Sequence, residues 1–147
     1  MKNKAVFTFI VKNLGFLKLV PLLAFQFDSM LRLWTFFTRR HVLDCIDAVE
    51  AAVLTWPGTR RQFHKYGGIQ FNYGGREIGH IHGNGILDMR FSRKIKALLM
   101  DEGRITDHHV FQNSGWITFH IHDRSDDIYA QKLLRMGYDR IAGKTVG

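Results

Sequence analysis

Between His41 and Trp56 the residues Val42, Cys45, Ile46, Val49, Ala52, Val53 and Trp56 fall at the three- and four-residue spacing of one helix face. Trp56-Pro57-Gly58 then stops that helix, because proline and glycine cannot extend it. The period next changes from that of a helix to that of a strand. The pattern predicts strands over about Lys65–Tyr73, Arg76–His82 and Ile86–Phe91, separated by the turn signals Gly74-Gly75 and Gly83-Asn84-Gly85. Ser92 is a helix cap for a short helix reaching Met100, with Gly103 beyond its end. A loop holding His108 and His109 runs through Asn113-Ser114-Gly115 into a further strand, Trp116–His122. Ser125, followed by Asp126 and Asp127, opens a last helix with the stripe Ala130, Leu133, Leu134, Gly137 or Tyr138, and Ile141. The order helix, three strands, helix, strand, helix predicts an α+β domain over 41–147. Its small antiparallel sheet has about four strands, with helices packed on one face. Residues 1–40 are a basic, aromatic-rich, helical N-terminal extension.

Alternation along the strands sorts side chains between the two faces of that sheet. Ile69, Phe71, Ile81, Leu87, Met89, Phe91, Ile117, Phe119 and Ile121 fall on the core side. The opposite side receives Gln70, Asn72, Ile78, His80, His82, Asp88, Arg90, Trp116, Thr118, His120 and His122. An antiparallel sheet can leave such a face to solvent or to a ligand.

Charge changes the picture mainly at the N-terminus. The net charge is +8, but residues 1–40 hold seven Lys/Arg against one acid, Asp28, and residues 41–147 are close to balance. A near-neutral domain argues against nucleic acid as a partner, because phosphate binding needs a basic surface on the domain itself. Apolar residues are 46% of the chain, enough for a core. The single cysteine, Cys45, excludes an internal disulfide framework and fits a reducing, cytoplasmic setting. Residues 5–37 are rich in Phe and Leu, yet Lys12, Lys18, Pro21 and Asp28 interrupt them, leaving no run of the about 20 apolar residues that a span requires. Three readings stay open for this segment. It packs as helices on the domain or in a homodimer, it lies peripherally in an anionic membrane surface at the inner face, or it is a cleaved signal or a span.

The chemistry concentrates in histidine. A His-x-His pair on one strand turns two imidazoles to the same side. His80 and His82, joined by Asp88, could hold zinc or iron. The same groups, with His108 or His109 from the loop, could instead act as acids and bases near neutral pH. Ser114 lacks a nucleophile elbow and reads as a turn residue. The glycines match no phosphate-binding loop.

Gly-His-Ile-His-Gly at 79–83, Gly-Ile-Leu-Asp at 85–88, His108-His109-Val110 and Ser114-Gly115-Trp116, with the Leu-Leu-Arg-Met-Gly-Tyr-Asp-Arg helix, resemble the small luciferase-like, or luciferase-domain, proteins over about Ile46–Arg140. That family is essentially of unknown function, and its name does not imply light emission. No flavin or ATP site is recognisable here. The resemblance implies that a working site would use His80, His82, Asp88, His108, His109 and Ser114. The element order is also similar to the frataxin-like double-wing fold. The sequence favours a small binding or accessory module with a His-rich polar face. The alternatives are a metal-dependent or acid–base enzyme and a nucleic-acid-binding double-wing domain.

Overall fold

A computed structural model describes residues 21–143. The elements are α1 (Pro21–Thr38), α2 (Arg40–Leu54), β1 (Thr59–Phe63), β2 (Ile69–Tyr73), β3 (Arg76–Ile81), β4 (Ile86–Arg90), α3 (Arg93–Asp101), β5 (Thr106–Asp107), β6 (Trp116–His120) and α4 (Asp126–Ile141). The strands form one six-stranded sheet in the order β1-β2-β3-β4-β6-β5. Every neighbouring pair is antiparallel. The class is α+β, as the pattern predicts.

The two additional strands lie at the edges. β1 (Thr-Arg-Arg-Gln-Phe) is largely exposed and has no buried stripe to betray it. β5 is two residues long. The strand expected over Lys65–Tyr73 begins only at Ile69. Its first half is a turn, in which the Gly67 amide donates to the His64 carbonyl at 2.9 Å and the His64 amide to the Gly68 carbonyl at 3.0 Å. Both Gly67 and Gly68 sit at positive φ there.

One face of the sheet carries the core. Val42, Ile46, Val49 and Val53 of α2 and Ala130, Leu133, Leu134 and Tyr138 of α4 are buried with Phe71, Leu87, Met89, Ile117 and Phe119 of the strands. Burial of such side chains stabilises by roughly 1.5–3 kcal/mol each. Cys45 is buried with them, and burial pushes its thiol pKa up. Ser92 caps α3 by accepting from the Ile95 amide at 3.2 Å. Ser125 stands at the start of α4 without a side-chain capping bond. Asp126 instead reaches back to the chain entering the helix: its Oδ2 accepts from the His122 amide at 2.8 Å and the Asp123 amide at 2.9 Å.

The alternation fails at one position. Ile78 is 1% exposed and belongs to the core, although a regular strand would turn it outward. Between β2 and β3, Asn72 pairs with Glu77 and Phe71 with Gly79, so Ile78 is the extra residue of a β-bulge. The bulge also resets the phase of β3. Glu77 and His80, three residues apart, would lie on opposite faces of a regular strand, but here they meet.

Candidate functional site

β3 and β4 pair His80 with Asp88 directly across the sheet. β4 and β6 pair Asp88 with Thr118. The three side chains share the polar face, and all are buried, at 5%, 2% and 5% exposure respectively. A buried carboxylate needs partners. Thr118 Oγ1 donates to Asp88 Oδ1 at 2.5 Å. The other oxygen, Oδ2, faces three imidazole nitrogens: His80 Nε2 at 3.6 Å, His82 Nε2 at 3.7 Å and His108 Nε2 at 3.8 Å.

Those separations are too long for N–H···O hydrogen bonds. They are close to the spacing of ligands around a shared cation: bonds of about 2.0–2.1 Å in a tetrahedron put neighbouring ligand atoms about 3.3–3.4 Å apart. His80, His82 and Asp88 form a compact group of potential ligand atoms, all within 4.8 Å of one another. One further contact bears on the available lone pairs. A Glu77 carboxylate oxygen lies 2.6 Å from His80 Nδ1. A carboxylate can only accept, so Nδ1 carries a proton, which leaves Nε2 as the nitrogen able to offer a lone pair toward Asp88. His108 is the opposite tautomer. Its Nδ1 accepts from the Val110 amide at 3.1 Å and the Phe111 amide at 3.3 Å, so Nε2 bears the proton. His108 thus points a donor, not a lone pair, at Asp88.

The surrounding shell comes from across the chain. His64, at the end of β1, stacks on His80 with ring centroids 3.8 Å apart and 9° between planes. Burial, then the neighbouring His80, pushes the His64 pKa down to about 4. Asp28 of α1 lies 3.8 Å from His82 Nδ1 and accepts from the Gly83 amide at 2.9 Å. α1 comes so close there that a Cβ on Gly83 would sit 2.9 Å from Arg32 Cβ. The loop of His108 and His109 is pinned by Lys96. Its buried ammonium donates to Asp107, to the Gln112 carbonyl at 2.9 Å and to the Ser114 carbonyl at 3.0 Å. Burial lowers the pKa of His108 against the raising effect of Asp88, and burial followed by His122 lowers that of His120.

The polar face is concave. A cavity of about 410 Å³ has Phe27, Asp28 and Leu31 of α1 on one side and His82, Asp88, Thr118 and His120 of the sheet on the other, with Tyr66 and His109 at its margin. The other residues singled out in the sequence have separate contacts. Asn72 accepts from Gln70 at 2.7 Å. Arg90 is exposed at the end of β4. His122 is exposed beyond β6, its ring stacked on that of His120 at 5.7 Å and its carbonyl accepting from His41 Nε2 at 2.6 Å. His109 is exposed and stacks on His108 at 4.6 Å. Ser114 donates to the Phe111 carbonyl at 2.5 Å and accepts from the Trp116 amide at 3.2 Å, which is the work of a turn residue. Glu77, His64 and Asp28 escaped the sequence reading. The bulge, an unpatterned edge strand and a helix docked from 55 residues away in sequence placed them here.

Fold and site together define an α+β domain with an imidazole–carboxylate cluster at the base of a cavity. The family model described as Luciferase domain matches residues 75–137, so this stretch is similar to luciferase-like domains, in line with the resemblance that its motifs carry. The matched stretch contains His80, His82, Asp88, His108 and Thr118, but neither α1 nor His64. No curated protein and no solved structure matches the chain.

Proposed function

We propose that the luciferase-like domain is a metal-dependent enzyme, with His80 Nε2, His82 Nε2 and Asp88 Oδ2 as ligands to a zinc- or iron-class ion. The observation that carries this reading is the convergence of both Nε2 atoms on one oxygen of a nearly inaccessible carboxylate, at 3.6 and 3.7 Å, beside a cavity. Two lone pairs facing a carboxylate across that distance repel each other unless a cation or proton lies between them. Three protein ligands leave a coordination position for water or substrate, as catalytic sites do. The Glu77 carboxylate on His80 Nδ1 supplies the outer hydrogen bond that orients a ligating imidazole. His108, presenting N–H rather than a lone pair, is placed to donate to a group bound in the cavity. The concave face favours this enzyme over the binding module that the sequence alone favours.

A second reading has its own support. The Glu77–His80 pair and the fixed tautomer of His108 would also serve metal-free proton transfer between imidazoles and a bound substrate. Metal content of the purified full chain separates the two. Near-stoichiometric zinc or iron in the wild type, lost in a His80→Ala/His82→Ala variant of unchanged circular dichroism, supports the metal centre. Protein that purifies without metal and takes up neither zinc nor ferrous iron on titration refutes it and leaves the acid–base reading.

A further inference from the structure

The polarity of α1 is inside out. A helix lying on a soluble domain turns its apolar stripe inward and its polar residues to water. In α1 the line turned to the domain includes Ala24, Asp28 and Thr35, with Ala24 buried, Asp28 half-buried and bonded to the Gly83 amide, and Thr35 wholly inaccessible. The large apolar residues Phe25, Met30, Leu33, Trp34, Phe36 and Phe37 are instead 45–76% exposed. The patch continues onto β1, where Phe63 is 66% exposed and meets Phe25 edge-on at 5.5 Å. A continuous apolar surface of this kind marks an interaction site.

Charge indicates what that site meets. Residues 1–40 contain seven cations and one acid, and the acid is Asp28, which faces the domain. Cations outnumber acids beside the apolar patch: Arg32 is paired with Asp47 at 3.1 Å, Arg40 lies over the Phe36 ring at 5.4 Å, and the sequence of residues 1–20 adds four lysines and no acid. Among the described residues no helix is long and apolar enough to cross a membrane. Exposed Trp and Phe flanked by Lys and Arg, on a helix that does not span, is the composition of an interfacial helix. We infer that the outer face of α1 docks on an anionic bilayer surface. The inference is independent of the metal reading. If both hold, docking sets one wall of the cavity against the lipid interface, because Phe27 and Leu31 line the cavity from the same helix.

The test is flotation of the full chain with phosphatidylcholine vesicles, with and without phosphatidylserine, alongside light scattering of the free protein. A Trp34→Ser/Phe37→Ser variant removes two exposed rings, and Arg40→Glu reverses one exposed charge. The expected result is co-flotation with the phosphatidylserine vesicles, weakened without that lipid. It should fall at least about tenfold in the double variant and measurably in Arg40→Glu, with the protein monomeric in solution. Three outcomes would overturn the inference. The first is absence of flotation by a monomer. The second is a dimer that the double variant dissociates, which assigns the patch to a second copy. The third is equal flotation of wild type and double variant.

Discussion

Glu77 provides the sharpest test of the proposed metal centre, because it touches no metal ligand atom and acts only through the far side of the His80 ring. Its Oε1 is 2.6 Å from His80 Nδ1, a charge-assisted hydrogen bond, and its side chain is 28% exposed. Removing it leaves His80, His82 and Asp88 in place but frees the ring of His80 to rotate and to change tautomer. Loss of such an outer partner costs about 10- to 100-fold in metal affinity, equivalent to about 1.4–2.7 kcal/mol. Glu77→Ala should fall in that range. Glu77→Gln can still accept from Nδ1 through its amide oxygen and loses only the charge, so a cost of about tenfold or less is expected. The assay is zinc titration by competition with a chromophoric chelator, for wild type and both variants. Thermal unfolding without metal checks that the half-buried site tolerates the change. The reasoning fails if Glu77→Ala binds zinc as tightly as wild type, or if Glu77→Gln is weakened more than Glu77→Ala.

Further expectations concern the frame around the cluster. Gly83→Ala places a methyl 2.9 Å from Arg32 Cβ and 3.1 Å from the Asp28 carbonyl; it should cost about 1–3 kcal/mol and lift α1, seen as faster amide exchange over Pro21–Thr38. His64 has its pKa pushed down to about 4 in the fold, against about 6.5 for an unperturbed histidine, so the unfolded chain binds the extra proton. Its contribution to stability is therefore full above pH about 6.5 and is lost as the pH falls toward 4; the melting temperature should drop over that window, and less steeply in His64→Phe. Asp126→Ala strips the His122 and Asp123 amides and Arg104 of a shared acceptor; denaturant unfolding should show a loss of about 1–2 kcal/mol.

How much of the site was legible follows from how each residue reaches it. His80, Asp88 and Thr118 lie on strands and His82 directly follows β3, and counting by two brought them to one face. The same counting misplaced Ile78 and missed Glu77 for a single reason. A bulge adds a residue without any change in apolar content, and Ile78 reads equally well on either face. His64 directly follows a strand recruited as an edge by pairing to β2, not by burial of its own side chains. The histidines at 108 and 109 were visible, but their opposite fates were not. His108 is drawn in by two backbone amides and by the Lys96 anchor, and its neighbour is left outside. Those bonds depend on the path of the loop, which no periodicity encodes.

The same reasoning explains why α1 is part of the site rather than an appendage to it. Its largest apolar residues point away from the sheet, and the helix docks through Ala24, Asp28 and Thr35 with Phe27 and Leu31 half-buried beside them. Ala24 and Asp28 close on Gly67, where a Cβ would sit 2.8 Å from Asp28 Cβ and 2.9 Å from the Ala24 carbonyl. Asp28 bonds the Gly83 amide beside His82. Small residues at the contact let the helix approach until Phe27 and Leu31 form a wall of the cavity. The stretch 75–137 supplies the three groups proposed as ligands, and the helix supplies enclosure and a carboxylate near His82. Enclosure strengthens every charge interaction at Asp88 by excluding water. A fragment limited to the matched stretch would keep His80, His82 and Asp88 in its sequence but would lose α1, α2 and β2, and with them a wall of the cavity and much of the core.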